Sequence, residues 1–265
     1  MDLRLYGRRA LVTGSSGGIG AGIAARLAAE GAAVLVHGRR PEAVQEVVDQ
    51  IRAAGGRAEP ALGDLGTETG AAQVVDAALT RGVDILVNNA GWYANTTWEQ
   101  ATPEDWLRTY NRNVVTAVRL IRALVPGMRE RGWGRVVQIA SGEATAPFPT
   151  MPDYAAGKAA LVNLTVSLAK RLDRTGVTVN TVSPGIVVTP GVEQFYRKVA
   201  ADRGWGDSWP DIEEAVLREV LDNPTGRLGR PADVADLVAY LVSPLAGYVN
   251  GANLRVDGGS TATVN

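Results

Sequence analysis

The 265-residue sequence contains no cysteine, which excludes disulfide bonds and thiolate metal sites and leaves the compartment undecided. It has no block of five like charges and a formal net charge of −1, so nothing in its charge indicates binding to nucleic acid or to a membrane surface. No apolar run reaches the roughly 18 residues of a membrane-spanning helix, and the first residues lack a signal-peptide pattern. We therefore expect a soluble cytoplasmic protein without a bound metal.

The composition is that of a globular protein with a large core. Hydrophobic residues make up 46% of the chain and charged residues 21%, which is ordinary for a soluble domain. Open α/β folds often reach this size without dividing. We expect a single domain over residues 1–265.

Short β-rich runs alternate with longer helical runs along the chain. The predicted strands cover residues 9–13, 33–37, 57–62, 83–88, 136–140, 177–182 and 253–259, and the predicted helices cover 19–30, 41–54, 68–80, 103–131 and 153–174. This alternation predicts an α/β fold in which a doubly wound parallel sheet (a Rossmann fold) carries helices on both faces.

Two of these helices, 103–131 and 153–174, are apolar nearly all round. A helix that packs on one face of a sheet should keep a polar outer side. We therefore predict that both helices also pack against another subunit, which makes the protein a homo-oligomer, either a dimer or a tetramer.

A glycine-rich turn follows the first predicted strand and opens into a helix. Glycines at such a turn allow a close backbone approach to a pyrophosphate, which then lies at the positive end of the helix. The candidate residues are Gly14, Ser16, Gly18, Ile19 and Gly20. A glycine-rich turn that binds no ligand is the alternative.

The end of the second predicted strand indicates which dinucleotide binds. NAD-binding proteins usually place an acidic residue there, whereas NADP-binding proteins place a basic one. This chain has Arg39 and Arg40 after His37, and no acid. We predict NADP(H), with Arg39 on the 2′-phosphate and Arg40 or His37 assisting, unless these are only solvated turn residues.

Tyr154 and Lys158 lie one helical turn apart, thirteen residues after Ser141. Positions i and i+4 share a helix face, and a nearby positive charge lowers the pKa of a phenol by roughly 1–3 units. The spacing predicts that Tyr154 donates and accepts a proton near neutral pH. A single Tyr-x-x-x-Lys also arises by chance.

Taken together, these motifs resemble the classical short-chain dehydrogenase/reductase family over nearly the full length of the chain, and among its members the NADPH ketoreductases similar to 3-oxoacyl-ACP reductase. The family motifs occur in order as Thr13–Gly20, Gly63-Asp64-Leu65, Asn88-Asn89-Ala90-Gly91, Asn113, Ser141, Tyr154, Lys158 and Pro184–Thr189. The resemblance implies an oxidoreductase that interconverts a ketone and a secondary alcohol.

The resemblance implies a role for each catalytic residue. Tyr154 would be the general acid and base, and Ser141 would orient the carbonyl oxygen. Lys158 would bind the nicotinamide ribose and hold down the pKa of Tyr154, and Asn113 would interrupt its helix to hold a relay water. Taken singly, Tyr154 could instead be an interface residue, Ser141 a turn cap and Asn113 an ordinary helix residue.

The resemblance also implies the full set of cofactor-binding residues. These are Gly14, Ser16, Gly18, Ile19, Gly20, Arg39, Asp64, Leu65, Asn89, Ala90, Gly91, Tyr154, Lys158, Pro184, Gly185, Ile186 and Thr189. Asp64 would contact the adenine, although it could also be a plain turn residue.

The segment from about residue 190 to 230 interrupts the alternation, and in this family that region is a mobile substrate lid. It contains Phe195, Tyr196, Trp205 and Trp209, and further apolar residues (Trp92, Tyr93, Phe148 and Met151) flank the other motifs. An aromatic lining predicts a bulky apolar ketone or a 3-oxoacyl substrate. Sugars or polyols and steroids are the alternatives, and the tryptophans could instead form the lid's own core.

Two further alternatives stay open. Basic residues near the ends of the two apolar helices could receive an acyl carrier protein, although cations are common at helix C-termini for dipole reasons alone; they are Arg129, Arg131, Lys170, Arg171 and Arg174. A non-catalytic NADPH-binding sensor or scaffold is the alternative from another class. It predicts the loss of a catalytic residue, and none is missing.

Overall fold

Seven parallel strands form one sheet in the order β3-β2-β1-β4-β5-β6-β7. The computed structural model describes residues 1–263 of the chain. Its strands are β1 (Arg9–Val12), β2 (Ala33–Gly38), β3 (Arg57–Leu62), β4 (Ile85–Asn88), β5 (Gly134–Ile139), β6 (Val177–Pro184) and β7 (Asn253–Val256). The predicted doubly wound parallel sheet is confirmed.

Helices cover both faces of the sheet. They are α1 (Gly18–Ala29), α2 (Pro41–Ala53), α3 (Glu68–Arg81), α4 (Pro103–Tyr110), α5 (Thr116–Glu130), α6 (Pro152–Arg171), α7 (Pro190–Arg203), α8 (Trp209–Glu219) and α9 (Pro231–Leu241). Helices α1, α2 and α9 bury apolar side chains in the core on one face, and α3, α5 and α6 do so on the other. No helix within residues 1–263 is long and apolar enough to cross a lipid bilayer.

The predicted helix 103–131 is divided into three parts. It begins at α4, where Thr102 and Asp105 form a reciprocal cap around Pro103. A π-helical turn, Asn111–Val115, then separates α4 from α5. Such turns widen a helix locally and often occur at functional sites.

The outer sides of α5 and α6 are more polar than their sequences predicted. Arg122 and Arg129 on α5 are exposed, as are Asn163 and Lys170 on α6. The all-round apolar character predicted for both helices is therefore wrong, because their largest apolar residues face the sheet. One apolar residue on the outer side, Val166, is 39% exposed.

Helices α7 and α8 lie between β6 and α9 and have a small core of their own. Its buried members are Tyr196, Ala200, Trp205, Ile212, Ala215, Val216 and Leu228. Segment 190–230 is thus mainly helical, and it follows directly on the loop that leaves the carboxyl end of β6. It is positioned to cover that edge of the sheet.

Candidate active site

The predicted site residues follow the carboxyl ends of the strands. Because all the strands are parallel, the loops after β1 to β6 meet at one edge of the sheet. A cavity of about 250 Å³ lies there, and its lining includes the predicted residues Gly14, Ser16, Arg39, Asp64, Leu65, Asn89, Ala90 and Gly91. The fold therefore brings motifs that are far apart in the sequence to one cavity.

Two glycines of the glycine-rich turn, Gly14 and Gly20, are packed too closely to carry side chains. A Cβ on Gly14 would lie 2.9 Å from the Ala90 Cα, and one on Gly20 would lie 2.4 Å from the Gly14 carbonyl oxygen. Gly14 also has a φ of 62°, which favours glycine. The turn leaves backbone N–H groups at the start of α1, as a pyrophosphate requires, so the residues present fit a dinucleotide. The Ile19 side chain packs on the core.

Thr13 joins the glycine turn to the loop after β4. Its hydroxyl oxygen accepts hydrogen bonds from the backbone N–H groups of Asn89 and Ala90, both at 2.9 Å. The Asn89 side-chain amide donates to the carbonyl oxygens of Thr13 and Gly14, at 2.8 and 3.1 Å. These bonds give Asn89 a structural task in addition to its predicted place beside the cofactor.

His37 holds the same turn from the other side. Its Nδ1 accepts from the Gly14 N–H at 2.9 Å, so Nε2, which lies 3.0 Å from the Gly63 carbonyl oxygen, must carry the proton. The ring is 3% exposed, and burial is the main reason that its pKa lies below 6.5. Both ring nitrogens already form hydrogen bonds within the protein, so the prediction that His37 assists in binding the 2′-phosphate is wrong.

Arg39 and Asp64 stand on the open side of the cavity. The Arg39 guanidinium is 4.0 Å from the Asp64 carboxylate, and both side chains are about half exposed or more, at 64% and 48%. An exposed pair at this distance contributes little to stability. Both side chains are therefore free to reorient toward a ligand in the cavity.

Asn113 lies in the π-helical turn and is almost fully buried. Its side-chain amide donates to the Trp92 and Thr109 carbonyl oxygens, at 2.8 and 2.9 Å, and its Oδ1 accepts from the Trp92 N–H at 3.2 Å. The helix is interrupted here, as the family resemblance implied. The Asn113 side chain also secures the loop that carries Gly91.

Lys158 is buried beside Asn113. Its ammonium donates to the Ile139 carbonyl oxygen at 2.8 Å, at the end of β5. A Cβ on Gly91 would lie 2.9 Å from the Asn113 Oδ1 and 3.3 Å from the Lys158 Nζ, so only a glycine fits between them. Burial lowers the pKa of Lys158 to about 8.

Tyr154 lies over Lys158, with the ammonium 5.5 Å from the centre of the phenol ring. Burial raises the pKa of Tyr154, and the charge on Glu143 and the neighbouring Tyr93 raise it further, whereas the Ser141 hydroxyl lowers it. The net shift of the Tyr154 pKa is therefore upward, opposite to the lowering that the spacing of Tyr154 and Lys158 predicted. The loss of solvation raises the pKa of Tyr154 by more than the Lys158 cation lowers it, because the Lys158 ammonium donates its hydrogen bond to the backbone.

Ser141 follows β5 and begins a short 3₁₀ turn, Gly142–Ala144. Its hydroxyl oxygen accepts from the Glu143 N–H at 3.2 Å, which is the capping role that the sequence left open. The hydroxyl proton remains free to bond elsewhere, since a serine both donates and accepts. Ser141 can therefore cap this turn and also orient a substrate oxygen.

The loop after β6 lies against the glycine turn. A Cβ on Gly18 would be 3.3 Å from the Thr189 Cγ2, so the two predicted cofactor segments are neighbours. The Gly185 N–H donates to the Val256 carbonyl oxygen at 3.0 Å, which joins the Pro184-Gly185 turn to β7. Ile186 packs against the lid's small core.

The aromatic residues of the lid do not gather around Tyr154. Trp205 is buried in the lid's own core, and Trp209 packs against the same core. Among the described residues, Tyr93 is the aromatic residue that stacks on Tyr154, edge-on with 5.7 Å between ring centres. Trp92 instead lies beside Arg112, where it lines the cavity. The predicted aromatic lining is therefore wrong for both lid tryptophans.

A buried hydrogen bond between α4 and α6 was not predicted from the sequence. The Thr109 hydroxyl donates to the Asp153 carboxylate at 2.5 Å, and both residues are buried. Asp153 precedes Tyr154, so this bond helps to hold the start of α6 against the π-helical turn. No spacing signal links residues 44 positions apart in the chain.

Comparisons with known proteins agree with this geometry. A sequence model described as short chain dehydrogenase matches residues 8–200. The chain is 40% identical over 270 residues to the uncharacterized oxidoreductase YvaG of Bacillus subtilis (strain 168), and the match covers 100% of both chains.

Solved structures are similar over the whole fold. L-Sorbose reductase from Gluconobacter frateurii, complexed with NADPH and L-sorbose, aligns with a TM-score of 0.94 at 34% identity over 100% of both chains. A 3-oxoacyl (acyl-carrier-protein) reductase from Agrobacterium tumefaciens C58, with NADP bound, aligns with a TM-score of 0.87 at 35% identity, over 97% of this chain and 95% of that chain.

Proposed function

The chain belongs to the short-chain dehydrogenase family, and on that premise we propose that it interconverts a ketone and a secondary alcohol, with Tyr154 moving the proton. It is an oxidoreductase that uses NADP(H). The observation that carries the proposal is the placement of Tyr154 and Lys158 beside Gly91, next to the glycine cradle. That placement puts a proton donor at the edge of the cofactor site.

The residues around the cavity fit NADPH, which supplies a hydride to a carbonyl carbon when bound. Backbone N–H groups of the glycine turn would hold its pyrophosphate. Arg39 and the Ser16 hydroxyl would hold the 2′-phosphate, because a Cβ on Gly38 would lie 2.9 Å from the Ser16 Oγ, beside Arg39. Asp64, whose carboxylate lies 4.0 Å from the Arg39 guanidinium, would contact the adenine.

Tyr154 supplies the proton in the reducing direction. Burial raises its pKa, so the phenol is protonated at neutral pH and can donate to a carbonyl oxygen that is becoming an alkoxide. Ser141 donates a second hydrogen bond to the same oxygen and orients it. Lys158 keeps a positive charge beside the phenol and stabilises the phenolate that is left after transfer.

The substrate is a small ketone in this proposal. Since Trp205 and Trp209 pack within the segment 190–230, they do not supply the aromatic lining on which the prediction of a bulky apolar ketone depended. The two solved structures described above represent two substrate classes, a keto sugar in L-sorbose reductase and a 3-oxoacyl chain in the carrier-protein reductase. The keto sugar is the better supported of the two, because the sorbose reductase aligns more closely.

The basic residues considered for a carrier protein lie far from this edge. Helices α5 and α6 run back from the carboxyl edge, so their C-terminal residues lie at the opposite edge of the sheet. Arg131 there donates to the Val83 carbonyl oxygen at 2.7 Å and lies 3.6 Å from the Asp84 carboxylate. The proposed substrate is accordingly a free small molecule.

A second copy of the chain is the proposed partner. Val115, Val118 and Ala123 line a shallow groove on α5 together with two arginines, and Val166 on α6 is 39% exposed. These apolar residues are few, so the contact would be mixed in character. Analytical ultracentrifugation of the full chain measures the oligomeric state.

The test of the proposal is Tyr154→Phe, with Tyr93→Phe as the matched control because Tyr93 packs edge-on against it. Loss of the acid should lower kcat by about 10²- to 10⁴-fold on any ketone substrate, while NADPH binding, followed by fluorescence, stays unchanged. The control should keep most of its activity. If no ketone of a panel gives NADPH oxidation that depends on Tyr154, the result would contradict the proposed enzymatic activity and favour a non-catalytic NADPH-binding protein.

A further inference from the structure

Glu143 carries a part-buried carboxyl group beside Ser141, and one of its two oxygens has no hydrogen-bond partner among the described residues. Its backbone N–H donates to the Ser141 Oγ at 3.2 Å. Its Oε2 is fully buried and has no hydrogen-bond partner among residues 1–263. The function described above uses the Ser141 hydroxyl and leaves this carboxyl without a task.

An unpaired buried carboxylate is unfavourable, because it loses water and gains no hydrogen bond in return. Other part-buried acids of this protein are paired: Glu213 accepts from Arg230 at 2.8 Å, and Asp233 accepts from Arg227 at 2.7 Å. Glu143 forms no ion pair within the described part of the chain. Burial accordingly raises the pKa of Glu143 to about 7.

The carboxyl is close to the reacting phenol. The turn Gly142–Ala144, which contains Glu143, packs against α6, the helix that carries Tyr154, and the charge on Glu143 raises the pKa of Tyr154. Tyr93 stacks edge-on with the same phenol, with 5.7 Å between ring centres. Tyr93 in turn raises the pKa of Tyr196 on the lid helix α7. Glu143 therefore belongs to the ring of polar groups around the space where a substrate would meet Tyr154.

The cations of this region are engaged elsewhere. The Lys158 ammonium donates to the Ile139 carbonyl oxygen. Arg108 forms an ion pair with Asp105, and its guanidinium and that of Arg112 lie over the Trp92 ring. These contacts leave none of the three cations to neutralise the Glu143 carboxylate.

We propose that Glu143 determines the substrate class by accepting a hydrogen bond from a substrate hydroxyl near the reacting carbonyl. The substrate is then a neutral polyhydroxylated ketone, such as a keto sugar. This assignment rests on the proposed reductase function and narrows it. An apolar ketone would leave the carboxyl unpaired, and an anionic keto acid would be repelled.

A hydroxyl suits this carboxyl better than an ammonium group does. Near neutral pH the Glu143 carboxyl exists in both protonation states, and a hydroxyl can serve either state because it both donates and accepts. An ammonium group only donates and would require the ionised form. Amino ketones therefore serve as a test of the assignment.

The experiment compares Glu143→Gln and Glu143→Ala with the unmodified enzyme on four probes: L-sorbose, 2-octanone, 4-oxopentanoate and 1-amino-2-propanone. Glu143→Ala should raise the KM for L-sorbose by about 10- to 100-fold, the range for losing a hydrogen bond to a charged group. Its kcat/KM for 2-octanone should stay the same or rise. Glu143→Gln, which removes the charge at constant size, should improve turnover of 4-oxopentanoate.

Glu99→Gln is the matched control, because it removes the same charge from an exposed residue and should leave all four probes unchanged. If Glu143→Ala lowered kcat/KM equally on every probe, the proposal would be overturned and the role of Glu143 would be structural. An unchanged KM for L-sorbose would also overturn the proposal. Preference for the amino ketone that is lost in Glu143→Gln would reassign the site to a cation. If the proposed reductase function is wrong, a different result shows it: Tyr154→Phe would not reduce the activity.

Discussion

Replacement of His37 tests whether a single neutral imidazole holds the glycine turn in place. The ring accepts from the Gly14 N–H at 2.9 Å and donates to the Gly63 carbonyl oxygen at 3.0 Å. Its backbone is tied to the same turn, because the His37 N–H donates to the Ser15 Oγ at 2.9 Å. His37→Phe keeps an aromatic ring at this buried position, although a somewhat larger one, and removes both side-chain hydrogen bonds.

The expected loss follows from those two bonds. Each buried backbone group left without a partner costs about 1–3 kcal/mol. Gly14 lines the cavity, where water can reach it, so the lower half of the range applies to that group. We expect His37→Phe to reduce the free energy of unfolding by roughly 2–5 kcal/mol and to weaken NADPH binding, because the turn that would hold the pyrophosphate loses its support.

The same geometry predicts a pH dependence. The pKa of His37 is below 6.5, chiefly because of burial and also because of the Arg39 charge, whereas the Gly63 carbonyl and the Asp64 charge act in the opposite direction. Between the folded-state pKa and 6.5, the unfolded chain binds the proton more readily than the folded chain. Stability from the neutral ring is therefore complete above about pH 6.5 and is lost as the pH falls through the folded-state value.

The assay is denaturant unfolding of the ligand-free chain between about pH 5 and 8, with His37→Asn as the matched variant. The asparagine carbonyl lies near the position of Nδ1, so it keeps an acceptor for the Gly14 N–H and does not titrate. Its stability should fall less steeply below pH 6.5 than that of the unmodified chain. An equal slope in both proteins, or a His37→Phe variant of unchanged stability and NADPH affinity, would refute the reasoning.

Two further predictions concern the cofactor cradle. Arg39→Ala should raise the KM for NADPH by about 10- to 100-fold, as expected for losing a hydrogen bond to a charged group, and leave the KM for NADH nearly unchanged; Arg129→Ala, which removes an exposed arginine of α5, is the control, and equal effects on both cofactors would remove the 2′-phosphate assignment. Gly14→Ala should destabilise the chain by about 1–3 kcal/mol, because its φ is 62° and the new Cβ would lie 2.9 Å from the Ala90 Cα. Gly17→Ala, whose Cβ meets nothing within 4 Å, should unfold like the unmodified chain, and similar losses in both variants would contradict the packing argument.

Elements with a strong local signal were predicted well. The alternation of β-rich and helical runs was enough for a parallel sheet, because buried parallel strands are continuous apolar runs. The start of α4 was also predictable, since Thr102, Pro103 and Asp105 carry the whole cap within a few residues. The division at Asn111–Val115 carries no such signal in the sequence, and only the family resemblance implied it.

Spacing and resemblance identified candidate catalytic residues, but they did not predict the pKa shifts of those side chains. The spacing of Tyr154 and Lys158 predicts proximity, and the ammonium does lie 5.5 Å from the ring centre. The direction of the Tyr154 pKa depends on burial and on Glu143, and neither can be known before the chain is folded. The lid tryptophans were misjudged for the same reason, since the sequence does not show which way an aromatic ring points.

By itself, the sequence determined the order of the elements, the glycine turn and the i, i+4 pair of Tyr154 and Lys158, because each depends on residues that are close in the chain. Only the tertiary structure decided what surrounds that pair. It brings His37 to Gly14 across 23 residues and buries the Glu143 Oε2 without a hydrogen-bond partner among residues 1–263. Burial and long-range hydrogen bonds are properties of the packed chain, so the charge states that set the chemistry arise only on folding.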